Sequence, residues 1–147
     1  MKRFVRYICI IIVIALFFSI PVNAQELTPY SSAYFAAYDS FISLVGGRTF
    51  EVWFRVTAKG SMLELGTSSI AIQQSSDEED WETLFTFTPS YSPQMICTNT
   101  GYHCDCVTFS GVDGYYYRAK VTFYAKNSSG TGYIFDTAET LYIPPSS

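Results

Sequence analysis

The chain has 147 residues, of which 48% are hydrophobic and 18% aromatic, while only 15% are charged and the formal net charge is −4. That length suits one domain built on a single core. The acid excess argues against a nucleic-acid partner, because such affinity rests on basic side chains displacing counterions from phosphates.

The opening MKRFVRYICIIIVIALFFSIPVNA places Lys2, Arg3 and Arg6 ahead of an apolar run over 7–20, followed by Pro21 and the small-residue signature Val22-Asn23-Ala24. This is the three-part layout of a secretory signal peptide, with cleavage expected after Ala24. The run falls short of the roughly 20 residues that span a hydrocarbon core, so no stable membrane span is expected after cleavage. Cys9 lies inside the run rather than beside the cleavage point, which argues against a lipoprotein anchor. The expected destination is outside the cell, secreted or loosely associated with the envelope. Without residues 1–24 one domain remains, 25–147, carrying six basic groups against thirteen acidic ones.

Residues 25–45 allow two readings. Tyr30, Tyr34 and Tyr38 recur at helical spacing, but Tyr34, Ala36 and Tyr38 also fit a strand, and the expectation is an arm or a first strand. TFEVWFRVTA then alternates strictly, with Phe50, Val52, Phe54, Val56 and Ala58 on the expected core face and Glu51, Trp53, Arg55 and Thr57 opposite. SSIAIQQS turns Ile70 and Ile72 inward, SDEED makes a polar turn, and WETLFTFT returns, which reads as a hairpin. The carboxylates of Asp77, Glu78, Glu79, Asp80 and Glu82 are of the type calcium takes, but they lack the alternate spacing and central glycine of an EF-hand loop. A solvated hairpin tip is expected there.

TNTGYHCDCVTFSG holds the only histidine and two cysteines spaced C-x-C. As a strand, 102–109 sends Tyr102, Cys104, Cys106 and Thr108 to one side and His103, Asp105, Val107 and Phe109 to the other. A zinc site would need four converging ligands, whereas here the histidine and thiols part company and Cys97 is the only further thiol nearby. An oxidising compartment permits disulfides. Cys104 and Cys106, as i, i+2 neighbours, sit too far apart to bridge in an extended strand. Cys97 reaches Cys104 or Cys106 if 99–101 forms a hairpin tip; free thiols are the competing expectation. His103 and Asp105 share a face, as a hydrolase pair would, but no G-x-S-x-G elbow accompanies them and a solvated surface pair is expected.

YYYRAKVTFYAKN alternates as strictly as the earlier strand: Tyr117, Ala119, Val121, Phe123 and Ala125 face one way, and Tyr116, Arg118, Lys120, Thr122, Tyr124 and Lys126 the other. The second row joins tyrosines to three basic groups, the composition that binding surfaces favour. Asn127-Ser128-Ser129 matches a glycosylation sequon, which matters only in a eukaryotic secretory route. A glycine-rich turn over 128–132 leads to YIFDTAETLYI, whose broken alternation marks an edge strand or a bulge.

About seven short strands separated by turn signals predict an all-β, two-sheet sandwich. The I-x-I strand followed by a polar turn and Trp81, and the later strand opening on a glycine turn and a tyrosine, resemble the immunoglobulin and fibronectin type III class. More narrowly, 31–137 resembles a family of small exported proteins of Gram-positive gut bacteria known only as a domain of unknown function. The residues that carry the likeness are Met62 with Leu65-Gly66, Ile70-x-Ile72, Trp81, Met95, His103, Gly111 with Gly114, and Tyr117-x-Ala119-x-Val121-x-Phe123-Tyr124-Ala125. The chain departs from that pattern at its Asp77-Glu78-Glu79-Asp80 turn and in carrying cysteines at 97, 104 and 106. The resemblance implies a fold and an export route, not an activity.

The functional expectation is a non-catalytic β-sandwich that binds an extracellular protein, a glycan or an envelope partner, without a cofactor. Its candidate binding residues are Trp53, Tyr116, Arg118, Lys120 and Tyr124, with Trp53 expected in a different sheet from the others. The alternatives are a thiol, metal or redox module on Cys97, Cys104 and Cys106, or a secreted hydrolase on His103 and Asp105. Nothing in the pattern fixes an oligomeric state.

Overall fold

Alternation at period two writes the core before any long-range contact is considered. Every expected inward residue of 50–58 is buried, as are Ile70, Ile72, Tyr117, Ala119, Val121, Phe123 and Ala125. The structure is a computed structural model that describes residues 33–145; the expected signal peptide, residues 1–24 with Cys9, and the segment 25–32 lie outside them. Six strands follow in order: β1 (Phe35–Gly46), β2 (Thr49–Ser75), β3 (Glu82–Phe87), β4 (Ile96–Ser110), β5 (Tyr115–Asn127) and β6 (Gly130–Ile143). A short 3-10 turn, Pro93–Met95, precedes β4. The fold is all-β, and among the described residues no helix is long and apolar enough to cross a membrane.

Among the described residues six strands stand where about seven were expected in the mature chain, because 49–58 and 70–75 are two ends of one 27-residue strand. The first half of β2 pairs with β1 on one side and with 102–110 of β4 on the other. Its second half pairs with β5 on one side and with β3 and 96–100 of β4 on the other. Between these halves the register with β4 jumps from Thr57–Tyr102 to Met62–Thr100, so 58–61 bulge opposite Gly101. A bulge adds local twist and bends the strand. A Cβ at Gly101 would lie 3.2 Å from the Gly60 carbonyl oxygen, so glycine there lets the two backbones approach closely at the bend.

The bend curls the antiparallel sheet until its halves share one core. Phe50, from the first half of β2, meets the Tyr117 ring of β5 at 5.1 Å, and Tyr38 of β1 meets Phe123 at 5.5 Å. β1 comes to lie against β6, where the Ser40 hydroxyl donates to Asp136 Oδ2 at 2.7 Å. Tyr117 is fully buried, and its hydroxyl donates to Gln74 Oε1 and accepts from the Val112 amide, each at 2.7 Å. The expected hairpin of β2 and β3 is present, and β6, paired only with β5, carries the expected irregularity opposite Tyr117 and Ala119. Within the ambiguous 25–45 segment, the described part forms β1.

Among the described residues, one buried side-chain polar atom is unmatched. The Thr67 hydroxyl is enclosed where β2 slips register against β5, with no hydrogen-bond partner. An orphaned buried hydroxyl costs free energy that an apolar isostere avoids. Thr67→Val is therefore expected to raise unfolding stability by about 1 kcal/mol in urea denaturation, and a loss of stability would mean the hydroxyl is satisfied.

Candidate binding face

The outward row of β5 is as expected, and pairing sets a second row beside it. Across the ladder Tyr116 faces Tyr142, Lys120 faces Thr137, Thr122 faces Phe135 and Tyr124 faces Tyr133. Tyr133, Phe135 and Tyr142 are 44%, 59% and 43% exposed, so β6 supplies the larger share of accessible aromatic surface. Two tyrosine pairs bracket the face, Tyr116–Tyr142 at 4.7 Å and Tyr124–Tyr133 at 5.4 Å between ring centroids.

The basic groups of the row are not equivalent. Arg118 donates from Nε to Gln73 Oε1 at 2.8 Å, and its guanidinium sits 4.1 Å from the centroid of the Trp81 ring. That stacking and bonding hold Arg118 to the β2–β3 hairpin as a structural clamp. Lys120 is exposed. Lys126 reaches Glu64 Oε1 at 3.0 Å, and the Tyr124 hydroxyl donates to Glu64 Oε2 at 2.9 Å. These bonds from Lys126 and Tyr124 hold the Glu64 carboxyl below its ordinary range. Burial, reinforced by the Glu64 carboxylate, pushes the Tyr124 phenol up to about 12. Tyr124 is thus a neutral donor at ordinary pH, and Glu64 an ionised acceptor with a neutralising ammonium beside it.

Glu64 and Tyr124 form part of the wall of a groove of about 340 Å³, whose other residues are Ser68, Pro89, Ile96 and Tyr133. The register slip at 67–69 places Ser68 there, with its hydroxyl on the Thr122 carbonyl at 3.3 Å. A second groove of about 350 Å³ lies at the β2–β3 tip beside Trp81, Glu82 and Tyr115. At that tip the Asp77 carboxylate accepts the Glu79 and Asp80 amides and the Ser75 hydroxyl, and these bonds hold its pKa below the ordinary value. The acidic run therefore caps its own turn.

Trp53 belongs to the outward face of the other half of the sheet, apart from the β5 row. Its indole stacks on Phe41 at 6.2 Å and donates to Glu51 Oε2 at 3.0 Å. Beside it Arg55 and Asp39 form an ion pair at 2.9 Å. Cys106 is in register with Trp53, and Cys104 with Arg55, so both thiols share this outer face. The hairpin tip at 99–101 that a Cys97 bridge would require does not form: those residues lie inside β4, where Cys97 pairs with Leu65 in the other half. The physical reason is that Asn99-Thr100-Gly101 crosses the bend of β2 without reversing direction. All three thiols are free. Burial, followed by the charges of Glu51 and Asp105, pushes the Cys106 thiol up.

The period-two split of 102–109 is present, and it turns His103 to the inner face, where the residue is half-buried rather than fully solvated. It lies opposite Val56 on the core side, its ring at 5.4 Å edge-on to Phe54, and its Nε2 is 2.8 Å from the Gln94 carbonyl oxygen. A carbonyl only accepts, so Nε2 carries the proton in this contact. The imidazole thereby ties the 3-10 turn to the strand, a structural role. Asp105 accepts the neighbouring Cys106 amide at 2.7 Å. Among the described residues, no group of three or more His, Cys, Asp or Glu side chains is placed to hold a metal ion.

Sequence reasoning missed Tyr133, Phe135, Tyr142 and Glu64. The alternation Tyr133, Phe135, Thr137 was visible in the last strand, whereas Glu64 joins Tyr124 only through a pairing some sixty positions distant. No family model, no curated protein and no solved structure matches the chain.

Proposed function

We propose that this protein is an exported, non-catalytic module that binds an extracellular partner through the outer face of β5 and β6. One observation carries the reading: an edge strand presents Tyr133, Phe135 and Tyr142 to solvent in a single row beside the Tyr116, Lys120 and Tyr124 row. Aromatic residues aligned on an exposed face are what recognition surfaces use, and a chain with no partner gains nothing from displaying them. Export is supported by the signal-peptide layout of residues 1–24, and family membership by the structural motif residues that carry the resemblance. The finer fold belongs to the same proposal. An immunoglobulin or fibronectin type III sandwich is supported by Tyr117, whose hydroxyl bonds back to the backbone five residues upstream.

The test is sedimentation of the purified protein with cell envelopes of its host. Wild type is expected to co-sediment, Phe135→Glu to weaken binding at least about tenfold by burying a charge at the contact, and Trp53→Ala to leave it unchanged. Binding that persists through Phe135→Glu would place the contact elsewhere.

A further inference from the structure

The geometry points to a saccharide subsite in the groove between Tyr124, Tyr133 and Glu64, taking an uncharged sugar unit of a longer glycan. This inference rests on the reading of β5 and β6 as a binding face and gives that face a ligand class.

Size comes first. A groove of about 340 Å³ lies at the small end of ligand sites, suited to a compact ring system rather than a folded domain. Its walls then divide by chemistry. Tyr124 and Tyr133 offer aromatic rings, and Pro89 and Ile96 add apolar carbon. A pyranose matches this duality, having C–H faces that pack on rings and hydroxyls around its edge.

Charge discriminates further. Glu64 is a carboxylate with about four lone-pair sites, and Tyr124 and Lys126 use one on each oxygen. Lone pairs remain for ligand hydroxyls, and a carboxylate accepting from O–H makes the stronger kind of hydrogen bond. The Lys126 ammonium at 3.0 Å cancels the carboxylate charge, so the groove favours neither a cationic nor an anionic ligand. A neutral ligand rich in donors fits that balance.

A polypeptide in extended form fits less well. Strand addition would use the open edge of β6, not this groove, where Tyr124 pairs with Gly66 on one side and Tyr133 on the other. The groove lies over the face of the sheet, where only side chains are on offer. Phe135 follows Tyr133 on the same face, about 7 Å further along the strand, as a second platform for the next sugar of a chain.

The experiment is affinity electrophoresis of the full chain through gels containing soluble α-glucan, β-glucan, mannan, galactan or glycol chitin. Calorimetry with the hexasaccharide of any polymer that retards it follows. At least one polymer is expected to retard the wild type. Tyr133→Ala should weaken binding about tenfold or more, Glu64→Gln about tenfold, and Trp53→Ala should have no effect. Affinity should hold between about 0.05 and 0.5 M salt, since a neutral ligand is not screened. Near-UV circular dichroism checks that each variant is folded, and Glu64→Gln, which preserves shape, decides the matter if Tyr133→Ala does not fold. Retardation by no polymer, affinity that collapses in salt, or full binding by Glu64→Gln would each overturn the saccharide assignment. If it falls while Phe135→Glu still abolishes envelope binding, the face recognises a different ligand class; if both tests fail, the binding face falls with it.

Discussion

Alanine at position 66 is expected to abolish the cooperative native state, the largest effect of any single methyl group added to this chain. Gly66 has φ +156°, and a Cβ built there would run into the Met95 carbonyl oxygen and stand 3.1 Å from His103 Cδ2. The obstruction is backbone, which cannot rotate away as a side-chain end can. It is also held: the Ile96 amide bonds to the Pro93 carbonyl, the Met95 amide bonds to the Ser92 carbonyl at 3.0 Å, and His103 grips the Gln94 carbonyl. Making room means displacing the start of β4 together with the fully buried Met95. Mutational costs above about 4 kcal/mol arise from such imposed distortion, and a domain has only about 5–15 kcal/mol in total. Urea denaturation followed by Trp53 and Trp81 fluorescence checks this, and a Gly66→Ala midpoint close to wild type would show that the 3-10 turn does not sit on β2 as described.

Gly66 also marks where sequence legibility ends. Alternation in 50–58 and 117–125 reports burial directly, because a strand with one dry face has only one way to place its side chains. The stretch 58–64 reads Ala-Lys-Gly-Ser-Met-Leu-Glu, and its polarity signals an interruption without saying of which kind. A reversal and a bulge look alike in such a stretch, and the difference is made by β4, which stays paired to β2 on both sides of the bend. The same non-local partner settles His103. Period two separates it from Cys104 correctly, but both rows of 102–109 mix polar and apolar residues, and only pairing with Val56 and Phe54's half of β2 shows which row faces inward. The β5 half of the binding face was legible for the converse reason, since its rows differ sharply in polarity. The β6 half was obscured by Ala138-Glu139-Thr140, where the register slips and the alternation of Tyr133, Phe135 and Thr137 is lost.

Phe54→Ala is expected to destabilise the fold by about 3 kcal/mol, the low end of the range for buried phenylalanine. Phe54 is fully buried midway along the first half of β2, and its neighbours in register on the same inner face are Ser40 and Asp105. With its edge-on contact to His103, the ring is an apolar lid on the imidazole that holds the 3-10 turn. Removing the ring loses its transfer free energy and leaves a cavity. A wholly apolar cavity would set the cost near the top of the range, but this one opens onto the half-buried His103 imidazole, beside which the space can hydrate, and that offsets part of the loss. Phe54→Leu, which keeps most of the lid, should cost less than half as much. Both values follow from urea midpoints at an unchanged denaturant slope, and a Phe54→Ala cost under about 1 kcal/mol would mean the two halves of the curled sheet do not close over this ring. Because Phe54 packs on the inner side of the sheet, the same variant should leave the aromatic row on the outer side of β6 intact, separating what holds the sheet closed from what it displays.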